Sequence, residues 1–326
     1  MTMSGLDAAV IMLLSASFVD TFVGDPWGWP HPVSVMGSAI ARYSQWSLQQ
    51  FTSPERQRLS GVVLALGLMG GSGAIAAGLV GYSSQVNEFL GIGLATIVVA
   101  SCLARRSLGD AAQAVLQPLQ QGDLATARSR LSRYVGRDTD LLGEADILRA
   151  VLETVSENTT DGVMAPLFYA LLGALISPAG AVALAIAYKA ASTLDSMVGY
   201  RELPYRDLGW FSARSEDVLT WLPCRLTVAT IALLSWQPRR VWRLCWRDAI
   251  ADPSPNAGWS ECAYAAALGV QLGGVNRYRG VIKVKPRLGN AEREITPAVI
   301  AEALRLTRNS FWLWLIVGIL ILLGLR

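Results

Sequence analysis

Five stretches of this 326-residue chain run nearly or wholly free of charge: residues 8–23, 61–82, 89–104, 162–188 and 310–325. A helix needs roughly 20 mainly apolar residues to cross the hydrocarbon core of a bilayer. Inside that core every backbone polar group must be satisfied by the protein itself, so only helices and closed barrels span it. The expected fold is therefore all-α: a polytopic integral membrane protein with polar loops and short amphipathic helices.

The flanks refine each stretch. Segments 61–82 and 89–104 are joined by a short connection and read as a helical hairpin. Segment 162–188 is long, and Ser177, Pro178 and Gly180 interrupt it. Proline removes a backbone donor and ends or kinks a helix, so the segment reads as a hairpin of two helices broken at Pro178, with a single crossing as the alternative. Segment 8–23 carries Asp20 near its end, has no basic residue before it and continues into Gly24-Asp25-Pro26. It lacks the charged flank and small-residue cleavage site of a secretory signal and reads as a retained helix. Segment 218–236 contains Pro223 and Arg225 and is expected to be re-entrant or interfacial. Within 61–82, Gly67 and Gly71, and Gly70, Ala74 and Gly78, recur every four positions, the pattern of a close-packing helix face.

Hydrophobic residues make up 52% of the chain and charged ones 16%, with no polar stretch long enough for a separate soluble core. One membrane domain over 1–326 is expected. A net charge of +3 gives no footing for nucleic acid. The basic residues, almost all arginine, concentrate in 105–160 and 237–309, which places those loops in the cytoplasm by the positive-inside rule. Residues 122–138 read as a helix capped by Asp123, with Leu124, Ala127, Leu131 and Val135 on one face. Another helix begins at the cap Thr296 with Pro297 at its first position and leads into the last apolar stretch.

The densest chemistry precedes segment 162–188. On a helix, Glu153, Glu157 and Asp161 stack at i, i+4 and i+8, and like charges so placed repel. Arg149 can serve Glu153. Glu157 and Asp161, with Asn158, form a mount for a hard cation such as Mg²⁺, which takes one or two carboxylates together with phosphate oxygens; the alternative is a solvated acidic helix end. A second cluster spans Tyr188 to Arg201. There Lys189, Ser192, Thr193 and Ser196 share a helix face with Asp195 at its edge, and ionisable residues at the end of an apolar segment are functional candidates. The alternative is an internal Lys189–Asp195 pair. Asp138 beside Arg137, and Arg214 near Glu216 and Asp217, add charges suited to phosphate or metal. Two stiff Pro-Gly loops, GDPWGWPHPV from Gly24 and SPNAGWSE from Ser254, suit ligand contacts or structural turns.

Several classes are excluded or disfavoured. Cys102, Cys224, Cys245 and Cys262 are widely spaced with no C-x-x-C pair, so zinc and disulfide roles are disfavoured. His31 is the only histidine, and between prolines it reads as a structural hydrogen-bonding group, with contact to a ligand as the alternative. There is no G-x-S-x-G elbow and no G-x-x-x-x-G-K-[ST] phosphate loop.

Several long segments, in order, resemble the adenosylcobinamide-phosphate synthase (CobD/CbiB) family of cobalamin biosynthesis: GDPWGWPHPV from Gly24, RSLGDAAQAV from Arg106, VGRDT from Val135, ENTTDG from Glu157, YKAASTLDSMVGY from Tyr188 and SPNAGWSE from Ser254. The resemblance runs nearly end to end. This chain departs from it at Ser192, where asparagine is commoner, and at Ser260, where proline is. The resemblance implies a bacterial inner-membrane ligase that joins adenosylcobyric acid to an aminoalcohol such as (R)-1-amino-2-propanol O-phosphate through an amide bond, driven by ATP. Mg²⁺ is the implied metal. The implied partners are the corrinoid, the aminoalcohol phosphate, membrane lipid and other enzymes of the cobalamin pathway. On that reading Glu157, Asn158 and Asp161 hold Mg²⁺-nucleotide, while Arg137, Asp138, Lys189, Asn256 and Glu261 contact the co-substrate. Glu157 and Lys189 act catalytically, and Asp195 orients or deprotonates the amine. The competing class is a non-catalytic membrane sensor or a corrinoid-channelling scaffold.

Overall fold

The computed structural model describes residues 4–24 and 31–325, so the tip of the first aromatic loop, 25–30, and its expected ligand contact lie outside the described residues. In chain order the helices are α1 Gly5–Phe22, α2 Pro32–Gln50, α3 Pro54–Val86, α4 Glu88–Cys102, α5 Arg105–Gln120, α6 Leu124–Leu131 and α7 Glu144–Asn158. A π turn at Thr159–Met164 follows, then α8 Ala165–Ala174, α9 Pro178–Val198, α10 Trp210–Leu234, α11 Pro238–Asp248 and α12 Ala257–Leu268. Strands β1 Leu272–Tyr278 and β2 Val281–Leu288 precede the last helix, α13 Pro297–Gly324. Among the described residues, six helical stretches are long and apolar enough to cross a membrane: Gly5–Phe22, Pro54–Val86, Glu88–Gln120, Pro178–Val198, Trp210–Leu234 and Pro297–Gly324.

The chain divides into two compact units. The first comprises Met1–Ala104, Ala165–Thr220 and Leu313–Arg326. Here α9 is the hub, packing against α1, α2, α3, α4 and α8. Ile40, Leu64, Ala65, Leu194 and Val198 form a buried core between α2, α3 and α9. The expected hairpin of α3 and α4 is present, with Asn87 accepting from the amides of Phe89 and Leu90 to start α4. The break at Pro178 is present too: Ser177 Oγ accepts from Gly180 N at 3.0 Å and caps α9. Gly173 and Gly180 let α8 and α9 touch backbone to backbone, since a Cβ on Gly173 would lie 2.2 Å from the Gly180 carbonyl oxygen. At 10 residues, α8 is about 15 Å long, half the hydrocarbon thickness of roughly 30 Å.

Of the segment 218–236, residues 218–234 lie in the unbroken helix α10, which is long and apolar enough to cross a membrane. Pro223 cannot donate to the carbonyl four residues back, and Tyr169 Oη donates to that carbonyl, Leu219 O, at 2.9 Å instead. Among the described residues, nothing packs against the glycine repeat of α3. A Cβ at Gly67, Gly70, Gly71 or Gly78 would meet nothing within 4 Å, whereas Gly61 and Gly73 touch the carbonyls of Leu208 and Ala183.

The second unit comprises Arg105–Met164 and Trp221–Trp312. Helix α6 is capped by Asp123, which accepts from Thr126 N at 2.9 Å, and buries Ala127 and Leu131. It stops at Leu131, short of the expected 138. In α5, Pro118 frees the carbonyl of Ala114, and Arg130 Nη1 donates to it at 2.9 Å. The antiparallel β1–β2 hairpin is the exception to the all-α expectation. Its turn residues, Arg279 and Gly280, both have positive φ, as a tight type I′ hairpin turn requires.

Candidate functional site

In the second unit, α7 carries Glu153 and Glu157 inward. Glu153 is buried and held from three sides: Arg137 Nη2 bonds one oxygen, while Gly273 N donates to the other at 2.9 Å and Arg149 Nη1 stands 3.6 Å away. Asn276 Oδ1 accepts from Arg137 at 2.9 Å and from Arg149 at 3.3 Å. Glu153 is therefore neutralised by fixed cations, and Arg137, expected on phosphate, spends its guanidinium on Glu153 and Asn276. Asp138 binds the hairpin turn: its two carboxylate oxygens accept from Arg279 N and Gly280 N, each at 2.8 Å.

One turn beyond Glu153 the balance reverses. Glu157 lies in the fields of Lys285, Asp252, Glu153 and Arg137, and burial raises its carboxyl above the usual range. Glu261, on α12, is fully buried. Its Oε1 lies 3.5 Å from Lys285 Nζ, and Oε2 has no hydrogen-bond partner. Burial, reinforced by Glu157, Glu153 and Asp252 against the opposing pull of Lys285, pushes its pKa up to about 8. Burial works against the charge on Lys285, but the surrounding acids outweigh it and hold the ammonium firmly protonated. Lys285 thus lies among the acids Glu157, Glu261 and Asp252, whose charges outweigh the cost of its burial.

Asp161 lies in the π turn Thr159–Met164 that follows α7; such turns occur frequently at functional sites. Asn158 is exposed and its Nδ2 donates to Thr154 O. The π turn is pinned by buried hydroxyls. Thr160 Oγ1 and Ser260 Oγ lie 2.7 Å apart and Ser260 also donates to Ser156 O, while Thr159, Tyr264 and Thr307 bond one another. Ser260 is thus a bolt between α12 and the π turn. Asn256 is buried at the start of α12, where Oδ1 accepts from Arg225 Nη1 at 3.0 Å. The Arg225 guanidinium sits 4.5 Å from the Trp259 ring centroid and 5.2 Å from that of Trp221, which accounts for a cation in an apolar helix.

In the first unit Lys189 and Asp195 lie on α9, which is helical throughout Pro178–Val198, so the expected shared face holds. Thr193 and Ser196 hydroxyls donate back to the carbonyls of Lys189 and Ser192. Alongside runs a buried relay: Tyr188 Oη and Thr220 Oγ1 are 2.8 Å apart, and Thr220 donates to Glu216. His31 caps α2, its Nδ1 accepting from Val33 N at 3.2 Å, which fits the structural reading.

Sequence reasoning missed Lys285, Asp252 and Asn276. One signal was present: only three of the 28 basic residues are lysine, Lys189, Lys283 and Lys285. A lysine conspicuous among arginines marks a place where a compact point charge is used.

The architecture is that of a mostly helical protein with six helices able to cross a membrane and a buried carboxylate–lysine cluster. The chain belongs to the family described as CobD/Cbib protein, whose model matches residues 13–307. It is 51% identical over 98% of its length to the cobalamin biosynthesis protein CobD of Synechocystis sp., covering 93% of that protein. It is 40% identical to the cobalamin biosynthesis protein CbiB of Salmonella typhimurium, over 88% of this chain and 89% of that one. With CobD of Halalkalibacterium halodurans it shares 39% identity over 92% of each chain. No solved structure matches it.

Proposed function

We propose that this protein is the amide-forming ligase of cobalamin biosynthesis, joining adenosylcobyric acid to an aminoalcohol phosphate at the cost of ATP. The observation that carries the reading is the coincidence of near full-length kinship with CobD and CbiB proteins and a buried cluster in which acids outnumber the lysine they surround. A carboxylate does not acylate an amine unaided. It must first be activated, here as an acyl phosphate, and phosphoryl transfer is catalysed almost wholly by positioning and by offsetting charge on the phosphoryl oxygens.

Glu157 is the carboxylate we assign to Mg²⁺-nucleotide, with Asn158 and Asp161 as its neighbours on the chain. Among the described residues no three His, Cys, Asp or Glu side chains converge on one metal position. That fits Mg²⁺, which leans on one or two carboxylates and takes its remaining ligands from phosphates and water. Lys189 is assigned to phosphate. The test is product formation by purified, detergent-solubilised protein given adenosylcobyric acid, (R)-1-amino-2-propanol O-phosphate, ATP and Mg²⁺, read by mass spectrometry. Amide product with ATP consumed is the expected result. No product, with corrinoid still bound, would instead favour a channelling scaffold.

A further inference from the structure

Buried polar atoms in folded proteins nearly always have partners, so each exception calls for an explanation. The second unit holds three such atoms around Lys285 and the Arg137–Glu153 pair: Glu261 Oε2, Asp252 Oδ2 and Asn276 Nδ2. Glu261 is 0% exposed and Asn276 4%. Two are acceptors on carboxylates and one is an amide donor. Their other atoms are committed: Glu261 Oε1 to Lys285, Asp252 Oδ1 to Ser254 N at 2.8 Å and Asn276 Oδ1 to Arg137 and Arg149.

A ligand that satisfied all three atoms would bring N–H donors with positive charge to the two carboxylates. It would also bring an acceptor oxygen to the amide and the lysine. A metal ion meets only the first demand, and no cage of three metal-ligating side chains is present among the described residues. A small primary amine carrying a phosphate or hydroxyl oxygen meets both. Its ammonium offers three donors, and charge-assisted hydrogen bonds to carboxylates are about twice as strong as neutral ones.

We infer that Glu261 and Asp252 seat the ammonium group of the aminoalcohol substrate, with Lys285 and Asn276 turned to its oxygen end. This rests on the ligase reading and gives its amine substrate an address. Glu261 and Asp252 are positioning residues in this role. The assignment competes with Asp195, the candidate from sequence, which lies on α9 of the first unit.

Binding of (R)-1-amino-2-propanol O-phosphate and of isopropyl phosphate, which lacks the amine, is measured by calorimetry on the full-length protein in detergent. A site built to hydrogen-bond a group strongly rejects the analogue without it. Wild-type protein is expected to prefer the amine by at least about tenfold. Glu261→Gln abolishes that preference while leaving isopropyl phosphate binding unchanged, and Lys285→Met weakens both ligands alike. Asp195→Asn keeps the preference. If Glu261→Gln does not fold, Asp252→Asn, at the less buried acid, carries the same expectation. An unchanged preference in the Glu261 and Asp252 variants, equal weakening of both ligands by Glu261→Gln, or loss of the preference in Asp195→Asn would each overturn the inference while leaving the ligase intact. Failure of the wild-type protein to bind the aminoalcohol phosphate at all would overturn the ligase reading and the inference together.

Discussion

Replacing Tyr169 by phenylalanine isolates a single hydrogen bond whose reason for existing is written in the sequence of another helix. Pro223 sits inside α10 and leaves the Leu219 carbonyl without its helical donor, and Tyr169 Oη supplies one at 2.9 Å. Leaving a buried carbonyl unpaired costs about 1–3 kcal/mol, whereas side-chain hydrogen bonds between helices in membranes average about 0.6 kcal/mol and reach about 1.7. Tyr169→Phe should therefore destabilise the protein by about 1–2 kcal/mol, a shift of about 5- to 30-fold in the folding equilibrium. Pro223→Ala restores an N–H to position 223 and lets the helix satisfy Leu219 O itself. In that background Tyr169→Phe should cost only a few tenths of a kcal/mol. The assay is a double-mutant cycle of unfolding in mixed detergent micelles, with a coupling energy near 1 kcal/mol expected. Additive effects of the two substitutions would show that the tyrosine does not replace the missing donor, and the account of why α10 stays unbroken would fail with it.

Glycine substitutions in α3 should divide sharply. Gly61→Ala places a Cβ 1.9 Å from the Leu208 carbonyl oxygen and should lower the thermal midpoint or prevent folding, whereas Gly67→Ala meets nothing within 4 Å and should stabilise by about 0.5–1 kcal/mol through helix propensity. Asp138→Ala removes both acceptors from the Arg279–Gly280 turn and should cost about 1–3 kcal/mol locally, read as at least tenfold faster amide exchange at those two residues with little change in α12. The titration of Glu261 should be visible in stability: its pKa rises from 4.5 unfolded to about 8 folded, so the neutral acid is favoured in the fold. In the unliganded protein this group's contribution to stability is fully present below about pH 4.5 and is lost as pH rises through about 8; Glu261→Gln should remove that component of the pH profile, and an unchanged profile would refute the assignment.

What was legible in the sequence was what depends on local chemistry. The charge-free runs, the break at Pro178 and the caps at Asp123 and Thr296 each follow from a few adjacent residues, and the structure has them. At 218–236 proline was weighed by its local effect alone, and the helix nonetheless continues through Pro223. A tyrosine some 50 positions away in sequence repairs the ladder, and Arg130 does the same for Pro118. The hairpin of 272–288 was obscured by a neighbourhood of helices, although Val281-Ile-Lys-Val-Lys-Pro-Arg-Leu ends in an alternating polar pattern and Arg279-Gly280 is a turn pair. The α3 glycines were overread because four-residue spacing says that a face is narrow, not that anything lies against it.

The site was half legible for the same reason. Glu157 was found because acids at i and i+4 on a helix demand compensation, and that argument needs only one segment. Its companions come from segments far along the chain: Asp252 before α12, Glu261 within it and Lys285 on β2, brought together by a hairpin that sequence reading did not expect. The register of that hairpin decides the matter. Lys285 pairs with Gly274 and Lys283 with Asn276, and alternation along the strand turns Val284 outward, where it is 75% exposed, while Lys285 turns towards Glu261. A one-residue slip would exchange the two faces, sending Lys285 into solvent and leaving Glu261 buried without any cation. Asp138 fixes the end of the hairpin from which that register is counted. Asp138, expected from sequence to touch a ligand, thus supports the strand that carries Lys285.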